Sequence, residues 1–207
     1  IGGVLQQEYQ IFSKNDIGNY GVHCFVAKKY KIDIDSWFDA IDEPYTKSIT
    51  GSINEKEMYG HITTNLHTTN ATLLHHFKTA YKKYFKKNNQ LYNLLFSLKK
   101  KGVITGILSN QWYISKKFLL TPSDLRKCEL SIISCDVGLR KPDISIYEHL
   151  INEIKKINPK IKPNEILFID NRLNNLTPAQ SIGINTILFK NNKLTFKDLK
   201  KYQFVST

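Results

Sequence analysis

Three short segments in a fixed order restrict what this chain can fold into. Residues 104–110 (ITGILSN) are an apolar run that stops at Ser109 and Asn110, and residues 166–171 (ILFIDN) are another that stops at Asp170 and Asn171. Between them, residues 138–143 (GLRKPD) place Lys141 just ahead of Pro142 and Asp143. Short apolar runs ending abruptly in a polar side chain are the pattern of buried strands in a parallel sheet. Open sheets of that kind bind ligands outside the carboxyl ends of their strands, where these polar residues stand.

The surrounding pattern agrees. A helical stretch over residues 91–98 ends at Gly102 and leads into the apolar run 103–108. A second short strand is expected over 130–135, and a helix over 143–157 with Ile146, Leu150, Ile151 and Ile154 on one face. A third strand over 165–170, a helix over 175–182 stopped by Gly183, a fourth strand over 185–189 and a last short helix over 194–202 complete the alternation. Strands alternating with helices imply βαβ units and a parallel sheet. The region from about Gln6 to Lys87 differs: it reads as helical and irregular, with no alternating strand pattern. Trp37, Phe38 and Ile41 share a helical face, and Phe77, Tyr81 and Phe85 recur every four residues in a helix over 73–84. Ser52 with Glu55, or Asn54 with Glu57, offers a capping box in one of two registers. Helices inserted between a first strand and the rest of a sheet form a cap over a sheet-built floor. The expected division is residues 1–6 plus 88–207 for the α/β core and 7–87 for the helical cap.

Composition excludes several alternatives. The 207 residues include no apolar run near the roughly 20 needed to span a bilayer, so no membrane partner is indicated. Cys24, Cys128 and Cys135 form no CxxC pair, and a reducing, cytoplasmic setting follows as the default. The net charge of +12 raises nucleic-acid binding, but all basic residues except Arg126, Arg140 and Arg172 are lysines scattered along the chain. Residues 82–87 (KKYFKK) read as a solvated helix face and linker. Nucleic acid is therefore not an expected partner, although a basic surface can steer an anionic substrate. His75 and His76 lack a metal-ligand spacing and read as surface residues.

The polar strand ends carry the chemistry. The Ser109 hydroxyl and the following backbone N–H can bind a phosphate or carboxylate oxygen, although alone such a serine reads as a helix N-cap. Lys141 is placed by a helix start, with Pro142 suited to the first turn and Asp143 favourable to its dipole. Asp170 ends a very apolar strand, where a carboxylate calls for a cation or for loop amides. Asn171 and Asn175 bind through oxygen or serve turns.

In order and spacing the three segments resemble the motifs of the haloacid dehalogenase-like hydrolases with a helical cap after the first motif. Residues 104–110 match the second motif, residues 138–143 with Ile146-Tyr147 the third, and Phe168-Ile169-Asp170-Asn171 with Asn175 and Pro178-Ala179 the fourth. Gly51-Ser52-Ile53 with Glu57 resembles a stretch of these caps. The pattern is most similar to the sugar-phosphate phosphatase branch and to the phosphatase-like domain of soluble epoxide hydrolases. The resemblance implies a Rossmann-like, three-layer α/β fold and a Mg²⁺-dependent phosphatase acting on a small phosphate ester, as a monomer or homodimer. It makes Ser109, Asn110 and Lys141 catalytic, and Gly2 (through its carbonyl), Asp170 and Asn171 metal ligands. Gly3 and Asn175 become loop and substrate residues.

The resemblance also places the family's nucleophilic aspartate just before Ile1, at the end of a first strand in the middle of the sheet. The sequence accordingly reads as an incomplete copy of a longer chain. Gly2 stands where many phosphatases carry a general acid, and Asn171 replaces the second acid of the fourth motif. These departures keep two alternatives in view: a metal-independent 2-haloacid dehalogenase, and a degenerate member that binds without turnover.

Overall fold

The computed structural model describes residues 2–8 and 21–202; Ile1 and part of the expected cap lie outside the described residues. The chain opens with strand β1 (Gln6–Glu8) and then helices α1 (Val22–Tyr30), α2 (Ile34–Ile49), α3 (Glu55–Asn65) and α4 (Asn70–Tyr84). Strand β2 (Phe85–Lys87) and helix α5 (Asn89–Lys100) follow. The second half comprises β3 (Gly106–Ser109), α6 (Tyr113–Leu119), α7 (Pro122–Leu125), β4 (Leu130–Ile133), α8 (Ser134–Val137) and α9 (Ile144–Ile157). A 3₁₀ turn (Pro163–Glu165) precedes β5 (Leu167–Asp170), α10 (Leu173–Ser181), β6 (Asn185–Leu188) and α11 (Asn192–Lys200). This is the α/β, Rossmann-like architecture with a helical insert.

Local chemistry explains the helix ends. Asp33 accepts from the Ser36 N–H at the start of α2. Asn54 and Glu57 form a reciprocal capping box on α3, which selects the second of the two registers. In α9, Ile146, Tyr147, Leu150, Ile151 and Ile154 line the buried face, while Lys155 and Lys156 complement the dipole at its last turn.

The helices α1–α4 enclose their own core of Trp37, Ile41, Met58, Ile62, Leu73 and Phe77, and Trp112 and Ile114 at the start of α6 join it. The helical unit therefore rests on the segment that leaves β3. A second core lies under the parallel strands, where Leu108, Ile132 and Phe168 meet Tyr147, Leu150 and Leu176.

Among the described residues, β3 pairs only with β4 and β5 only with β6, each pair parallel. A cavity of about 420 Å³ borders both β3 and β5, lined by Ile107 and Leu108 on one side and Phe168 and Ile169 on the other, with Leu95 and Leu98 of α5. Its walls are mostly those of a protein interior.

Several boundaries differ from expectation. Residues 6–8 and 85–87, read as helical or irregular, are strands that pair antiparallel with Gln6 opposite Lys87 and Glu8 opposite Phe85. Three-residue strands are too short to show an alternating pattern. Lys87 is no linker charge either, because it pairs with the buried carboxylate of Asp124. The apolar run from Val103 becomes strand only at Gly106, and Ser134 and Cys135 belong to α8 instead of ending a strand. Glu165 closes a 3₁₀ turn instead of opening β5. Pro142 is not in the first turn of α9, which begins at Ile144 with Asp143 at the cap position; the Lys141–Pro142 peptide is cis.

Candidate active site

The carboxyl ends of β3 and β5 converge on one buried ion pair. Lys141, 4% exposed, points its ammonium at Asp170, 5% exposed, with Nζ 2.6 Å from Oδ2. The same nitrogen donates to the Leu108 carbonyl of β3 at 3.1 Å. Lys141 thus ties the end of one strand pair to the end of the other. An ammonium has three protons, and these two bonds leave one directed elsewhere.

Asp170 is held just as closely. Its Oδ1 accepts from the Arg172 backbone N–H at 2.8 Å and from the Asn175 amide at 3.0 Å. The Asn175 carbonyl in turn accepts from the Tyr147 hydroxyl at 2.5 Å. Burial alone would push the Asp170 carboxyl up. The Lys141 charge and hydrogen bond, with Asn175 and the Arg172 N–H, outweigh it and hold the group below the ordinary carboxylate value. For Lys141, burial lowers the proton affinity and the Asp170 carboxylate opposes that shift.

Asn110 positions the lysine. Its amide donates to the Lys141 carbonyl at 2.8 Å and its oxygen accepts from the Lys141 N–H at 2.9 Å. That reciprocal clamp spends both ends of the side chain on backbone. Ser109, 1% exposed, ends β3 and accepts at Oγ from the Gln111 side-chain amide at 2.9 Å. It is a strand residue and not a helix cap; the cap position of α6 is Trp112.

The first loop comes in from the side. Gly3 has φ +86° and donates its N–H to the Gln6 carbonyl at 2.7 Å. A Cβ on Gly3 would stand 2.3 Å from the Asn171 amide nitrogen, so the absence of a side chain lets Asn171 lie against this loop. Gly2 is exposed beside it. Hydrogen bonds therefore join Asn110, Lys141, Asp170 and Asn175, Ser109 ends the same strand as the Leu108 carbonyl, and Gly3 meets Asn171. Gln111 carried no local signal in the sequence, whereas Tyr147 lay within the third matched segment.

Among the described residues no group of three or more His, Cys, Asp or Glu side chains is placed to hold a metal. The residues that the resemblance names as metal ligands carry oxygens of the type Mg²⁺ takes: the Asp170 carboxylate, the Asn171 side-chain oxygen and the Gly2 carbonyl. Asp170 accepts three hydrogen bonds, and a carboxylate has about four lone-pair directions, which leaves one for a cation. The set fits a hard cation by donor type, and its one negative charge, on Asp170, is shared with the Lys141 ammonium.

The family model for haloacid dehalogenase-like hydrolases matches residues 31–189, and the chain belongs to that family. It is 36% identical over 126 residues to bifunctional epoxide hydrolase 2 of Mus musculus, an alignment covering 55% of this chain and 21% of the mouse protein. The chain thus spans about a fifth of the length of that relative. Two solved structures share the fold. A HAD family enzyme from Bacteroides thetaiotaomicron, solved in complex with magnesium and inorganic phosphate, superimposes with TM-score 0.67 at 19% identity, covering 92% of this chain and 91% of that one. A HAD-like family hydrolase from Porphyromonas gingivalis gives TM-score 0.69 at 17% identity, covering 98% of this chain and 94% of that one.

Proposed function

We propose that the protein is a Mg²⁺-dependent phosphatase of small phosphate esters that works through an aspartyl-phosphate, with residues 7–87 forming a cap that selects the substrate. One observation carries the reading. The buried Lys141 ammonium keeps a proton beyond those it gives to Leu108 and Asp170, and it stands at the end of the strand that presents Ser109. Such a cation neutralises charge on an attacking carboxylate and on the phosphoryl group in transfer. The Ser109 hydroxyl and the next N–H hold a phosphoryl oxygen, and Asn110 keeps the lysine in place.

The nucleophile in this reading is an aspartate just before Ile1, at the end of a strand that lies in the cavity between β3 and β5. The apolar walls of that cavity, and the pairing of β3 and β5 on one side each, support this placement. Asp170, Asn171 and the Gly2 carbonyl would hold Mg²⁺, which supplies Lewis-acid polarisation of the phosphoryl oxygens when bound. With glycine at position 2, protonation of the leaving group falls to water or another residue. That a protein of the same fold was solved with magnesium and inorganic phosphate supports the reading.

The test is hydrolysis of p-nitrophenyl phosphate by the protein expressed with the codons upstream of Ile1. Phosphate release that requires Mg²⁺ and stops with a chelator is expected. Halide release from a 2-haloacid without metal would instead establish the dehalogenase reading. Inactivity in both assays, with no aspartate upstream, would leave a binding protein.

A further inference from the structure

A chain of hydrogen bonds runs from Ser109 out of the candidate site to the helical unit. Ser109 Oγ accepts from the Gln111 side chain. The Gln111 backbone is stapled to Ser134, whose Oγ accepts from the Gln111 N–H at 3.0 Å and donates to the Gln111 carbonyl at 3.2 Å. Ser134 begins α8, a helix of four residues, so its carbonyls largely lack intrahelical partners. One of them, on Cys135, lies 3.2 Å from the Tyr113 hydroxyl, and the Ile53 carbonyl of the α2–α3 loop lies 3.2 Å from the same oxygen.

A phenol has one proton to donate, and here two carbonyls compete for it. One belongs to the segment that staples Gln111, the other to the helical unit. The Tyr113 ring packs against both hydrophobic clusters, the one inside the helical unit and the one beneath β3 and β4. The two backbones approach closely beside it. Gly51, at φ +65°, would place a Cβ 3.1 Å from the Cys135 carbonyl, and Gly138, at φ +73°, would place one 3.6 Å from the Thr50 carbonyl.

We propose that Tyr113 is a positioning residue that couples the docking of the 51–53 loop to the placement of Ser109, its one proton shared between the Ile53 and Cys135 carbonyls. The functional half of this inference rests on the reading of Ser109 as a phosphoryl ligand; the mechanical half does not.

Hydrogen exchange on the full protein tests the coupling without any substrate. In Tyr113→Phe the amides of Gln111 and Asn54 should both exchange at least about tenfold faster, at a rate of global unfolding close to that of the wild type. Ser134→Ala, which cuts the path at another link and leaves the phenol intact, should loosen the same two ends. On p-nitrophenyl phosphate, Tyr113→Phe should lower kcat about tenfold. Faster exchange confined to Asn54, or to neither amide, would overturn the coupling and reduce Tyr113 to a packing residue. Coupled exchange in a protein that releases no phosphate would support the mechanical link and overturn the phosphatase reading.

Discussion

Protonation of His23 should unlock the helical unit in mild acid. The imidazole stands in α1 among the rings of Trp37, Phe38, Tyr45, Phe77 and Trp112, all with centroids within 6.3 Å, and its Nδ1 accepts from the Trp37 indole N–H at 3.1 Å. That bond requires an unprotonated Nδ1, and the apolar surroundings disfavour charge. Burial lowers the His23 pKa from 6.5 to about 4. Between those values the unfolded chain binds the proton and the folded one does not, so stability rises with pH across the window. The contribution is fully present above the unfolded value and is lost as pH falls towards about 4. At about 1.4 kcal/mol per pH unit, the loss reaches about 2.5 kcal/mol by roughly pH 4.5. Urea unfolding followed by the fluorescence of Trp37 and Trp112, the chain's 2 tryptophans, measures it directly. The comparison is with His23→Gln, which keeps an acceptor for the indole and does not titrate. The wild type should lose about 2.5 kcal/mol more than the variant between roughly pH 7.5 and 4.5. Parallel stability curves would refute the argument, because they would mean that the folded protein accommodates the imidazolium.

Lys141→Met should cost about 3–5 kcal/mol in urea unfolding, since it leaves a buried carboxylate without its cation, while Lys141→Met with Asp170→Leu should recover most of that loss. The same single variant should also weaken the acid sensitivity that the wild type shows below about pH 4, where the depressed pKa of Asp170 makes stability fall as pH falls. Gly3→Ala should destabilise by about 1–2 kcal/mol from its positive φ alone, plus the clash with Asn171. Adding Asn171→Ala should relieve only the clash, and thermal melts of Gly3→Ala, Asn171→Ala and the double variant separate the two contributions. Asn171→Asp should lower the Mg²⁺ concentration for half-maximal phosphatase activity about tenfold, checked by metal titration, because it adds a second negative ligand.

What was legible in the sequence was local. An apolar run ending in Ser109 or Asp170 announces a buried strand and a polar end within seven residues, and the Asn54–Glu57 box is contained in four. The Lys141–Asp170 contact itself joins residues 29 apart and was not legible; the resemblance brought both residues to one site, but in separate roles and not as an ion pair. Nothing of that kind marked the Tyr113 bridge, whose partners lie 60 and 22 residues away, or the Gln111–Ser134 staple. Asn110 shows the limit in the other direction. The resemblance made it catalytic and its backbone N–H was the expected donor, whereas its side chain holds the Lys141 backbone at both ends, which no local pattern announced. The ribbon of β1 and β2 escaped because three residues hold less than two periods of any strand pattern.

That ribbon has a consequence for how the protein can change. Glu8 faces Phe85 across it, and just beyond, Asn88 donates its backbone N–H to the Leu5 carbonyl and its side-chain amide to the Val4 carbonyl. The chain departs and returns through one hydrogen-bonded doorway. What stands between the two door-posts can change in length without moving Gly3 on one side or α5 on the other, provided it keeps its seat on Trp112 and Ile114. The point at which the helical unit joins the core is thereby written into two facing backbones.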